Sequence, residues 1–141
     1  MNDFMNWEEC EKAFIRKITP DKEKIQSILD TAIKRKKYVE SQKADNETVS
    51  FIIEGYYEII KELLIALLLK NGMKSKNHQC MISYFYRNYQ DYEFEARLIS
   101  QMCYLRNRLN YYGEIIDLAF YDKNKENILK TIDLLQNMIK S

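Results

Sequence analysis

The chain is poor in the residues that punctuate and cross-link a fold. Three glycines and one proline in 141 residues leave little turn chemistry, which argues against many short strands and for long helices. The three cysteines, Cys10, Cys80 and Cys103, are odd in number and far apart, so a disulfide framework or zinc site is not expected and the thiols read as buried or idle in a reducing compartment. Charge of one sign is also missing. With 22 basic against 21 acidic residues and a net charge of +1, binding to nucleic acid must come from a local patch. The longest apolar run, Leu63 to Leu69, falls far short of the roughly 20 residues of a membrane span, and the N-terminal stretch has no basic region followed by an apolar one. Gly-rich phosphate loops, paired-carboxylate signatures and nucleophile elbows are not seen. The expectations are therefore no membrane, no metal, no cofactor and a cytoplasmic setting.

What is present suits one helical core. A 46% apolar fraction fills it and 30% charged residues solvate its surface, and 141 residues are too few for two comfortable domains. The expectation is a single domain over 1–141, all-α, an antiparallel up-and-down bundle of about five to six helices joined by short connections. A first helix is expected over Asp3 to Ile18. Thr19, Pro20 and Asp21 predict the start of a second, with Thr19 as cap and Pro20 at its first position, running to Ser41. Val49, Ile52, Ile53, Tyr56, Ile60, Leu63, Leu64, Leu67 and Leu68 keep a three-and-four spacing that predicts a third helix, ended by Asn71 and Gly72. Asn77 predicts the cap of a fourth, to about Tyr89, and Asp91 that of a fifth. The fifth carries Leu98, Met102, Leu105, Leu109 and Tyr112 to Gly113, a stripe suited to a bundle seam or a helix–helix interface. A last helix is expected from about Asp122.

The candidate chemistry lies late in the fifth helix. Arg106 and Asn110 are four apart and share a face, and a guanidinium there can grip a phosphate bidentately. The structural alternative is that Arg106 and Arg108 complement the helix dipole and pair with Glu114 or Asp117. Lys34 to Lys37 reads as a phosphate patch or, more simply, as a solvated helix face. The eleven tyrosines can stack on bases or fill helix contacts. The lone histidine, His78, follows the Asn77 cap, where the helix dipole disfavours its charged form; it takes a catalytic role only if folding or dimerisation brings it beside Arg106.

Residues 70–114, with KNGMKSKNHQCMISYFY from Lys70 and LRNRLNYYG from Leu105, resemble the central part of prokaryotic HEPN domains, especially small archaeal ones. The preceding EGYYEIIKELL from Glu54 fits the same pattern, so the resemblance covers residues 46–114, and its most specific element is the Arg106–Asn107 pair. It implies a HEPN-like helical bundle, a homodimer, and a nucleotidyltransferase partner of the toxin–antitoxin type. Ribonucleases of that family carry an arginine and a polar residue followed, after four to six residues, by a histidine. Here Tyr111, Tyr112 and Gly113 stand at those positions, and counting from Arg108 gives Gly113, Glu114 and Ile115.

Cleaving RNA through its own 2′-hydroxyl needs a proton carrier that titrates near neutrality, and tyrosine, with a pKa of about 10, is a poor general base. Tyr111 can still donate a hydrogen bond or stack on a base. The leading expectation is thus a HEPN-like binding or regulatory module that takes RNA or a nucleotide at Arg106, Asn107, Arg108, Asn110, Tyr111 and Tyr112, catalytically weak or inactive. A metal-independent RNA endonuclease with a variant site of Arg106, Asn107, Tyr111 and His78 is the second reading. A helical protein-interaction module, related to the family in architecture alone, is the third.

Overall fold

Fourteen of the 22 residues of the helix Val49–Lys70 are buried. A helix that is apolar on nearly every side cannot rest on a surface, because each large aliphatic chain left in water forgoes about 1.5–3 kcal/mol. The other helices enclose it. The computed structural model describes residues 4–141 and holds, in order, α1 (Trp7–Ala13), β1 (Arg16–Lys17), α2 (Lys22–Glu40), α3 (Val49–Lys70), β2 (Met73–Lys74), α4 (His78–Asn88), α5 (Glu93–Tyr112) and α6 (Leu118–Lys140), with a 3-10 turn at Gln90–Tyr92. The fold is all-α apart from a two-residue antiparallel ladder, in which Arg16 faces Lys74 and Lys17 faces Met73. Helix α3 packs against α2, α4, α5 and α6, and their buried residues form one cluster around Tyr56, Tyr57, Ile60, Leu63 and Leu64.

Helix α2 buries only Leu29, Ala32 and Val39 and lies along α3 as a polar outer layer. Its approach depends on a glycine. A Cβ on Gly55 would come within 2.9 Å of Val39 Cγ2, so the mid-helix glycine, a poor helix former, lets the two backbones close. The other two glycines adopt left-handed conformations after helices: Gly72 at φ 77° and Gly113 at φ 66°, as expected for residues that close α3 and α5. Asn77 caps α4 through Oδ1, which accepts from Cys80 N at 3.0 Å.

Several boundaries differ from the sequence expectation, each for a local reason. Helix α1 stops at Ala13, since Arg16 and Lys17 leave it to pair with β2; Asp3 lies outside the described residues. Asp21, not Thr19, caps α2, its Oδ1 accepting from Lys24 N at 3.1 Å, so Pro20 precedes the cap. Asp91 sits in the 3-10 turn, leaving Tyr92 at the α5 cap position with no side-chain hydrogen bond. Helix α6 starts earlier, at Leu118, because Asp117 accepts from Ala119 N at 3.1 Å.

The largest correction concerns the thiols. Cys10 of α1 and Cys80 of α4 form a disulfide, their Cα atoms 5.5 Å apart across 70 residues of sequence. Helix α1 packs on α4, a contact that the spacing of cysteines in the chain could not disclose. Cys103 is the free, buried thiol.

Candidate functional site

Helix α5 turns its two late arginines to different tasks. Arg108 makes a two-pronged ion pair with Glu114, just past the left-handed Gly113, and its guanidinium lies 5.1 Å from the Tyr112 ring centroid and 5.7 Å from that of Tyr104. This holds Glu114 below the usual carboxylate range and Arg108 above its own, chiefly through the shared hydrogen bonds. Arg108 thus takes the structural role foreseen as the alternative for both arginines.

Arg106 has no carboxylate partner among the described residues. One Nη1 hydrogen bond runs to Asn107 Oδ1 at 3.1 Å, and the guanidinium lies 5.9 Å from the Tyr57 ring centroid. Its Nε is buried with no hydrogen-bond partner, a donor whose pairing would be worth more than that of an exposed one. Arg106 borders a cavity of about 750 Å³ between α2, α3 and α5. Lys34 and Arg35 enter it from α2, and it carries two exposed aromatic rings, Tyr38 at 68% and Phe51 at 65% of full exposure.

Behind Arg106 lie the buried Tyr57 and Cys103 side chains. Burial, and then the nearby Cys103 thiol, push the Tyr57 hydroxyl well above the ordinary tyrosine value, so it stays protonated. Burial likewise raises the Cys103 thiol, whose sulfur accepts from Gln79 Nε2 at 3.5 Å and Asn107 Nδ2 at 3.8 Å. Asn107 therefore links Arg106 to the buried Cys103 one turn earlier on α5. On the other side of Tyr57, His78 Nδ1 lies 3.3 Å from the hydroxyl, with ring centroids 6.1 Å apart. Burial first, then the positive charges of Lys61 and Arg106, hold His78 below its ordinary value of 6.5. Its imidazole is neutral at pH 7 and able to accept a proton.

Arg106 and His78, distant in sequence, thus meet around Tyr57, with Asn107 beside Arg106. Arg106 and His78 line different cavities, however. Asn110, Tyr111 and Tyr112 are not part of the assembly; they are exposed at the end of α5, the two tyrosines at 72% and 71%. Tyr111 is far too open to act as a desolvated acid or base. The Lys34 to Lys37 run also divides: Lys34 and Arg35 line the cavity while Lys36 Nζ pairs with Asp133 of α6 at 3.2 Å.

No protein-family model, curated protein or solved structure matches the chain. Among the described residues, no group of three His, Cys, Asp or Glu side chains is placed to hold a metal ion, and no helix is long and apolar enough to cross a membrane. Sequence reasoning did not single out Tyr57, Cys103, Tyr38 or Phe51 for the site. Tyr38 had a visible signal, since it falls three residues after Arg35 and so shares its face of α2.

Proposed function

We propose that this chain is a HEPN-like binding module that takes RNA or a nucleotide at Arg106 and does not cleave RNA efficiently. The observation that carries this is the contrast on α5: Arg108 is consumed by Glu114, whereas Arg106 keeps a buried, unpartnered Nε beside a cavity furnished with Lys34, Arg35 and two exposed aromatic rings. Cations beside stacking surfaces suit a phosphodiester strand or a nucleotide. Cleavage lacks support because Tyr111, at the family's histidine position, is on open surface.

The family resemblance extends the proposal to a homodimer and a small nucleotidyltransferase partner in a toxin–antitoxin arrangement. Along α5, Leu98 and Met102 are consumed by the chain's own core, while Leu105 and Leu109 are half-buried and Tyr112 is exposed. Leu105 still packs against that core, so the Leu109 and Tyr112 end of the stripe is what remains for a second copy. Light scattering that returns 17.0 kDa at every concentration would defeat the dimer. The setting proposed is cytoplasmic.

One observation favours the endonuclease reading: His78 is neutral and shares Tyr57 with Arg106. Metal-free incubation with mixed single-stranded RNAs separates the two. Retention of RNA without fragments is the expected result. Fragments ending in cyclic phosphate, lost in both Arg106→Ala and His78→Ala, would replace the binding module with a nuclease.

A further inference from the structure

The Arg106 cavity is one end of a longer feature. Three cavities lie in succession along α2 and α3, and they share walls: Arg35 borders the first and second, while Lys24, Ile28 and Glu62 border the second and third. On α2 the shared wall is a single stripe, Lys24, Ile28, Thr31, Arg35 and Tyr38, spaced alternately four and three apart as one helix face requires, and Gln42, just past the helix end, continues it. On α3 the opposing stripe is Phe51, Gly55, Glu58, Glu62, Ile65 and Leu69, in the same spacing. Lys24 meets the late part of α3 and Gln42 the early part, so the two antiparallel helices form one continuous trough. Gly55 lines it where α2 closes in.

The trough concentrates positive charge on a chain whose net charge is only +1. Lys34, Arg35 and Arg106 stand at one end and Lys24, Lys74 and Lys76 at the other. None of these six makes an ion pair among the described residues. Of the three acids in the wall, Glu58 and Glu62 share Lys61, at 2.5 and 3.5 Å, which offsets one of their two charges. The exposed rings of Tyr38 and Phe51 are confined to the Arg106 end. From Lys24 to Gln42 the trough runs about 27 Å at about 1.5 Å per helical residue, room for about eight nucleotides of a stacked single strand at roughly 3.4 Å each.

We infer that this trough binds a single-stranded RNA along its length, with bases stacked on Tyr38 and Phe51 beside Arg106 and the backbone passing Lys24 to the Lys74 and Lys76 end. The inference rests on the Arg106 reading above and adds a path, a length and a second contact region to it. A strand is favoured over a free nucleotide because the uncompensated cations occupy both ends, farther apart than one nucleotide reaches. A single strand is favoured over a duplex because a duplex offers no open base faces to the aromatic pair.

Fluorescence anisotropy with labelled RNAs of two, four, eight and twelve nucleotides tests it, using the full chain. Affinity should climb about tenfold or more from two to eight nucleotides and then level off. Lys24→Glu combined with Lys76→Glu should abolish that gain and leave dinucleotide binding unchanged; both side chains are exposed, and glutamate suits the first turn of α2. Lys123→Glu, an exposed position on α6 outside the trough, should change nothing. If dinucleotide and octanucleotide bind equally and both depend on Arg106, the trough is wrong and the Arg106 site stands. If no RNA binds at any length, both fall. Equal binding by a polyglutamate peptide of matched charge would overturn the RNA assignment in favour of an acidic polypeptide.

Discussion

Arg106 and Arg108 are separated by one residue on the same helix, yet their surroundings differ in kind. Arg108 is half-buried, clamped by the Glu114 carboxylate and flanked by two aromatic rings. Arg106 rests on the buried Tyr57, braced by Asn107 and with Cys103, Gln79 and His78 behind it, and turns to a cavity instead of a carboxylate. The difference shows that a basic residue late in a helix is structural or available according to whether the following turn returns an acid to it. Gly113 returns Glu114 to Arg108 alone.

The comparison breaks most severely at its support. Tyr57→Ala removes a fully buried ring from the centre of α3 and should cost about 3–5 kcal/mol, read as a fall in the urea midpoint. Ala in place of Tyr112, exposed under Arg108, should leave that midpoint nearly unchanged. Next in size is the tie between α1 and α4. Cys10→Ser opens a closure across 70 residues and should lower stability by about 2–4 kcal/mol under oxidising conditions. Its difference from the wild type should shrink in excess reductant, where the wild-type bond is also open and only the buried hydroxyl remains as a cost.

Much of this architecture was legible in the sequence. The three-and-four spacing from Val49 to Leu68 located α3, and Asn77, Gly72 and Gly113 ended or began helices where their side-chain chemistry or conformational freedom suits. The two-residue ladder was not, because Arg16 and Lys17 offer no alternating pattern and owe their conformation to Met73 and Lys74 across the chain. The Cys10–Cys80 contact was hidden for the same reason. Within the site, the Arg106–Asn107 pair could be picked out by its motif, whereas Tyr57, Cys103 and the far wall of the trough could not. Their roles arise from packing between α3, α4 and α5, and charged residues such as Lys24 look in sequence like any solvated face.

Smaller effects sharpen the contrast further. His78 has a folded pKa below its unfolded value of about 6.5, so the unfolded chain takes up its proton first. The stability this neutral histidine provides is complete well above pH 6.5 and is lost as pH falls below it. The thermal midpoint should therefore drop from pH 7.5 to 5.5, and His78→Gln should remove that part of the drop. An unchanged slope in the variant would mean that another group carries the drop. Smallest of all, Glu114→Gln should leave the midpoint within experimental scatter, because the pair it opens lies at the surface and is screened by salt.

The central claim is that Arg106 is the available cation and Arg108 is not. It is tested most directly by the salt dependence of RNA binding in the wild type, Arg106→Ala and Arg108→Ala, measured with one labelled octanucleotide between about 50 and 200 mM salt. Loss of one phosphate contact on a single strand should reduce the slope of log affinity against log salt by about 0.7, and loss of a charge-assisted hydrogen bond of about 1.5–3 kcal/mol should weaken binding roughly ten- to a hundredfold. Arg106→Ala should show both changes and Arg108→Ala neither. Equal losses in the two variants, or a loss confined to Arg108→Ala, would contradict the account.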